Sequence, residues 1–257
     1  LLKFSLLGSG SSGNAAFVAS PRTKLLIDSG LSFRRLRERV EALGEGLEDL
    51  GAVLITHEHG DHVQCLGTLA RKLRVPVYVT ERTHLHFPTK VGELPDVRYF
   101  EAGDSFEIGD ITVSSFSVNH DAVDPVCFTV HSNGAKVGFA TDLGYCTNLV
   151  RSRLAGCNAL VIEANYCPEM LRLGEYPPAV QERIRSKIGH LSNQSMASLL
   201  KDVRHASLQT VVLIHISENN NTPERVEMMA RGVMRDHPAS IYLATQDGPT
   251  QFFEVVA

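Results

Sequence analysis

Residues Ile55 to Gly67 read ITHEHGDHVQCLG and continue the apolar run Ala52–Ile55. Three histidines and an aspartate, His57, His59, Asp61 and His62, fall within six residues. A strand that ends in such a cluster is costly to bury and weakly held if left open, so the segment calls for something to bind. Alternate residues of an extended chain point the same way, and His57 and His59 can therefore reach one metal together. Gly60 turns the chain, so Asp61 and His62, at the start of the next helix, aim elsewhere. The spacing predicts two metals side by side, each given part of its ligands by this segment. Imidazole and carboxylate suit zinc and manganese, and no thiolate is involved.

One short segment cannot saturate two ions, so other strand ends must contribute. Of the eleven histidines, His120 closes the alternating run Ile111–Val118 in SFSVNHDAV, and His215 closes Thr210–Ile214 in VVLIHIS. Asp142 in VGFATDLGY and Asp28 in LLIDSG are carboxylates in the same position. As a set of polar residues at the ends of apolar strands, they read as one site. His84, His86, His131, His205 and His237 show no partner pattern and read as ordinary surface or core residues.

The 257 residues carry a formal charge of −4, which leaves no global basic field of the kind that marks a nucleic-acid coat protein. No window is apolar enough to cross a membrane and no signal-peptide pattern is seen. The five cysteines form no C-x-x-C pair and their number is odd, which reads as reduced, buried thiols in a cytoplasmic protein.

Short β-like runs dominate the first half. Helices are expected at Phe33–Ala42, His62–Leu73 and Leu149–Leu154, then at Pro178–Lys187, Ser192–His205 and Pro223–Arg235. Later strands are expected at Ala159–Glu163, Thr210–His215, Ser240–Ala244 and Thr250–Val255. No repeat, low-complexity tract or linker interrupts the chain, so a single domain over residues 1–257 with a two-sheet core and outer helices is expected. Gly8 to Gly13, GSGSSG, satisfies the G-x-G-x-x-G dinucleotide pattern. That motif needs a helix after it, and the strand-like Asn14–Ser20 before Pro21 is too short for one. The stretch reads as a connection between antiparallel strands, and no nucleotide cofactor is expected.

The segment THEHGDH, Thr56–His62, resembles the Thr-His-x-His-x-Asp-His signature of the metallo-β-lactamase superfamily, and Asp28, His120, Asp142 and His215 match its other motifs in order. The resemblance spans nearly the whole chain. It implies an α/β fold, a four-layer αββα sandwich, with a dinuclear site of Zn, Mn or Fe between the sheets. His57, His59 and His120 would hold one metal and Asp61, His62 and His215 the other. Asp142 would bridge them, and Asp28 would orient the histidine loop.

Within the superfamily, LGSGSSGN, HDAVDPV, TDLGY, EANY and GHLSN resemble the YycJ/WalJ-type branch of bacterial exonucleases acting on DNA. RNase Z-like phosphodiesterases come next, and the long insertion of RNase J-type nucleases is absent. The resemblance implies metal-assisted phosphodiester hydrolysis, with Asp61 and Asp142 orienting the nucleophile and His190 assisting the leaving oxygen. Ser11, Ser12, Asn14 and Asn193 are expected at the rim, and Arg183 and Arg185 as phosphate contacts of a nucleic acid, DNA being favoured. Arg71, Lys72 and Arg74 are weaker candidates, and Arg34, Arg35, Arg37 and Arg39 read as a solvated helix face. The rival is a metallo-hydrolase of a small ester, lactone or thioester, which would not need His190. A flavodiiron-like redox protein would favour a carboxylate at His59, and a degenerate scaffold would lack ligands that are all present.

Overall fold

The computed structural model describes residues 1–257. The chain first builds one sheet from strands β1 (Leu2–Gly8), β2 (Ala15–Ala19), β3 (Lys24–Ile27), β4 (Leu50–Leu54), β5 (Val77–Val79) and β6 (Val97–Tyr99). It then builds a second from β7 (Ser105–Ile108), β8 (Ile111–Ser117), β9 (Val126–Ser132), β10 (Ala135–Ala140), β11 (Ala159–Glu163), β12 (Thr210–Ile214) and β13 (Ser240–Leu243). The last strand, β14 (Phe253–Val255), returns to pair with β1, so each sheet has seven strands. In each sheet the early strands are antiparallel, and β3 to β6 and β10 to β13 run parallel.

Most central strands are buried on both faces, which is why they read as continuous apolar runs. Their alternation sorts side chains into three layers. Leu25, Ile27 and Leu54 of the first sheet meet Phe128, Phe139, Val161 and Ile214 of the second in the central core. Leu26 and Val53 face outward, onto helices α1 (Phe33–Glu41) and α3 (Leu66–Leu73). Leu160, Ile162, Val211 and Leu213 face the other way. They meet α5 (Asn148–Leu154), α8 (Asn193–Val203) and α9 (Pro223–Val233). The result is the expected αββα sandwich. Helix starts follow local chemistry: Ser32, Ser192 and Thr222 each accept a hydrogen bond from a backbone N–H three residues on.

The expected helix from His62 to Leu73 is two helices, α2 (Gly60–Val63) and α3. Ser29, just after β3, enters the break: its N–H donates to His62 O (2.7 Å) and its O accepts from Cys65 N–H (3.0 Å). A tertiary strand end has taken over hydrogen bonds that a continuous helix would have kept. Two short helices, α4 (Glu81–Leu85) and α6 (Pro168–Leu173), were not anticipated. The remaining helix, α7 (Pro178–Arg185), buries none of its residues. Arg39 corrects the solvated reading of its helix. It is 8% exposed, and its guanidinium donates to Leu7 O and, at 3.0 Å, to Gln246 O.

Candidate metal centre

The C-terminal ends of β3, β4, β10, β11 and β12 deliver Asp28, His57, Asp142, Glu163 and His215 to one edge of the sandwich. Three of these residues, Asp28, Asp142 and His215, have positive φ (60°, 54° and 55°). Non-glycine residues seldom adopt that conformation, and it turns each strand end sharply, at a cost the surrounding contacts must offset.

His57 Nε2 lies 3.1 Å from His59 Nδ1, and His120 Nε2 lies 3.3 Å from the same atom. The opposite ring nitrogens are already occupied: His57 Nδ1 meets Thr56 Oγ1 at 3.0 Å and His120 Nδ1 donates to Gly189 O at 3.1 Å. Three ring nitrogens thus converge; a proton on His59 Nδ1 can satisfy only one of its two neighbours at a time, whereas one cation can satisfy all three. A tetrahedral ion with bonds of about 2.0–2.1 Å would space its nitrogen ligands by about 3.3 Å. The donor set fits. Burial, reinforced by the neighbouring His62, pushes His57 well below the ordinary imidazole range, and burial also lowers His120. Both are therefore neutral, as ligands must be.

Asp142, 3% exposed, sits at the centre. Its Oδ2 is 3.3 Å from His62 Nε2, and its Oδ1 is 3.2 Å from His215 Nδ1 and 3.9 Å from His120 Nε2. One carboxylate thus faces imidazoles from three separate segments. Burial opposes its charge, but His215 and His62 hold the carboxyl well below its usual range. The converse holds for His62 and His215. Burial pushes both down, yet Asp28 and Asp142 hold His62 well above the ordinary range, and Asp142 and Glu163 raise His215 to about 10. This half of the site has a field that calls for positive charge. His215 Nδ1 is buried, and although two carboxylate oxygens lie near, none meets it in hydrogen-bond geometry.

Asp28 lies against the histidine loop. Its carboxylate accepts from Thr56 N–H (2.9 Å), Thr56 Oγ1 (2.8 Å) and His62 Nδ1 (2.8 Å), which directs His62 Nε2 inward. Asn14 lies deeper than a rim contact. Its Oδ1 accepts from Gly10 N–H, so its Nδ2 points at Asp61 Oδ2 (3.1 Å) and His62 Nε2 (3.0 Å). Ser9 of the same loop accepts from His215 N–H at 2.6 Å. The glycine-rich connection therefore braces both halves of the site. Gly30 lets it do so, since a Cβ there would lie 1.6 Å from Asp61 O.

His190 Nδ1 donates to Glu163 Oε1 at 2.7 Å, and the carboxylate outweighs burial to raise the imidazole above its ordinary range. No protein group takes its Nε2. Glu163 is fully buried and also accepts from Leu143 N–H and Leu191 N–H. It was missed in the sequence, although it ends the apolar run Ala159–Ile162 just as Asp28 ends its own strand. His190, His215, Ser11, Arg183 and Tyr176 line a cavity of about 310 Å³ beside the centre.

Other expectations fare differently. Asn193 is buried against Asn221 (2.9 Å) and does not reach the cavity. Ser12 donates to Gln246 Oε1, and Arg183 is paired with Asp121 at 2.6 Å. Arg185 is exposed and outside the cavity lining. Arg71 clamps Val91 O and Glu93 O, a structural use. Asp121 also went unnoticed; its Oδ1 lies 3.3 Å from His120 Nε2.

No helix is long and apolar enough to cross a membrane. A family model described as a beta-lactamase superfamily domain matches residues 23–216. Exodeoxyribonuclease YycJ of Bacillus anthracis is 38% identical over 237 residues, covering 91% of this chain and 90% of that protein. Exodeoxyribonuclease WalJ of Streptococcus pneumoniae serotype 2 is 35% identical over 230 residues, covering 88% and 86%. The crystal structure of YhfI from Bacillus subtilis, a metallo-beta-lactamase fold protein, superposes with a TM-score of 0.73 at 16% identity, covering 99% of this chain and all of that one. By sequence and by fold, the chain belongs to the beta-lactamase superfamily, in the family that includes YycJ and WalJ.

Proposed function

We propose that this chain is a dinuclear-metal-dependent DNA exonuclease of the cytoplasm, working as one domain over residues 1–257. The observation that carries the reading is His190, oriented through Nδ1 by the buried Glu163 and leaving Nε2 free beside the histidine–aspartate centre. A phosphodiester needs a proton on its leaving oxygen, and a positioned imidazole can supply it. The names of the relatives favour DNA, and the five buried free cysteines accord with a reducing compartment.

In this reading His57, His59 and His120 hold one divalent cation, and Asp61, His62 and His215 hold the other, with Asp142 between them. Bound zinc, manganese or iron would supply hydroxide near neutral pH and neutralise charge on the phosphoryl group. Asp61, steadied by Asn14, orients the attacking water with Asp142. Glu163 keeps the proton of His190 on Nδ1 and supports the imidazolium form, so that Nε2 can donate to the departing oxygen. Arg183 can exchange its Asp121 partner for a substrate phosphate at the cavity lip.

The test is digestion of a 5′-labelled linear DNA duplex by metal-reconstituted protein, beside Asp61→Ala and His190→Ala. Shortening from the 5′ end that is lost in both variants is expected. Intact DNA under zinc and manganese would overturn the assignment. Shortening at the wild-type rate in His190→Ala would remove His190 from the reaction, whereas hydrolysis of a small ester, lactone or thioester with DNA left intact would favour that substrate class instead.

A further inference from the structure

We infer that the cavity beside His190 and His215 is a subsite for one terminal nucleoside, so that the chain releases its product a nucleotide at a time. This rests on the phosphodiesterase reading above. At about 310 Å³ the cavity lies at the lower end of the roughly 300–1,000 Å³ over which pockets hold a small organic ligand. That is room for one nucleotide.

The chemistry of the wall matches a nucleoside better than a run of phosphates. Ser11, Asn165, Ser217, Asn219 and Gln246 offer neutral donors and acceptors suited to base edges and sugar oxygens. Apart from the two histidines, Arg183 is the single cationic side chain in the lining, and Asp121 and Glu218 oppose further negative charge. An oligonucleotide would need a cation for each added phosphate, whereas one guanidinium suits one. Tyr176 supplies an aromatic face held in place twice. Its hydroxyl accepts from Asn219 Nδ2 at 2.9 Å, and its carbonyl accepts from Gln181 Nε2 at 2.9 Å. A ring fixed in this way serves as a stacking platform for a base. Ser12 donates to Gln246, and Gly10, at φ 127°, leaves room for that side chain, so the loops carrying Ser11 and Gln246 are joined at the wall.

The experiment follows metal-loaded protein on linear single-stranded DNA, on a covalently closed single-stranded circle and on bis(p-nitrophenyl) phosphate. Products are identified by mass spectrometry. Mononucleotides are expected from the earliest time point, with the circle intact. Tyr176→Ala should lower kcat/KM for linear DNA, relative to that for the small diester, by roughly 5- to 100-fold. Tyr176→Phe, which keeps the ring, should retain most of it. Oligonucleotides as first products, a cut circle, or an unaltered ratio in Tyr176→Ala would each overturn the subsite while leaving phosphodiester hydrolysis standing. Failure to hydrolyse either DNA or the small diester would overturn both readings.

Discussion

Replacing Asp28 by asparagine exchanges one carboxylate oxygen for an amide donor at the point where His62 Nδ1 donates. If the amide oxygen keeps the Thr56 N–H (2.9 Å), the new NH₂ faces His62 Nδ1 at 2.8 Å, donor against donor. The imidazole can escape only by giving up its Nδ1 proton and keeping one on Nε2, the nitrogen that faces Asp142 at 3.3 Å and Asp61 at 3.6 Å. That consumes the lone pair a metal would use. The lost charge-assisted bond costs about 1.5–3 kcal/mol, and the positive φ adds little because asparagine tolerates it. Asp28→Ala is worse for stability. It leaves the Thr56 N–H and the His62 N–H unpaired in a buried place, at about 1–3 kcal/mol each. Alanine in the left-handed region costs about 1–2 kcal/mol more. We expect a loss of about 2 kcal/mol for Asp28→Asn and about 4 kcal/mol for Asp28→Ala, from urea unfolding of the metal-free proteins. Zinc affinity, measured against a chromophoric chelator, should fall about 10- to 100-fold in Asp28→Asn. Zinc binding within twofold of wild type, or equal unfolding midpoints for the two variants, would refute the argument.

Two further outcomes test the electrostatics. His215 is raised to about 10 and His62 is raised also, so in metal-free protein their stabilisation is full below the unfolded histidine value of about 6.5. It is lost as pH rises through the folded values. His57 is depressed, so its contribution is lost as pH falls below about 6.5, and that of Asp142 is lost below about 3.8. Metal-free protein in EDTA should therefore be most stable near neutrality, with urea midpoints falling by pH 5 and by pH 9.5; a midpoint that climbs steadily to pH 9.5 would contradict the assignment. Glu163→Gln removes the carboxylate that raises His190, so the alkaline limb of kcat should move to lower pH with a drop of about tenfold or more. An unshifted limb would mean that His190 does not titrate in the reaction.

The sequence by itself determined the central facts of this protein. Short apolar runs such as Ala159–Ile162 and Thr210–Ile214 read as buried strands, and many such runs ahead of mixed strand and helix suggested two sheets with helices outside. The cluster from His57 to His62 pointed to a metal centre and the polar residues at other strand ends to its partners, and the fold brings most of these residues together. Local patterns also located most helices from their amphipathic periodicity, and in the fold Ser32, Ser192 and Thr222 cap three of them. The tertiary structure decided what depends on the approach of distant segments. That Asp142 faces His62, His120 and His215 together follows from packing β10 against its neighbours and from sharp turns at three strand ends, and no local propensity encodes a positive φ at aspartate or histidine. Glu163 looked like one more strand residue until β11 placed it under His190. Asn14, Arg39 and Arg183 had plausible solvent or substrate roles in sequence, and each was claimed by a protein partner far along the chain. A hydrogen-bonding side chain goes where a partner lies, and only the folded chain brings these partners together.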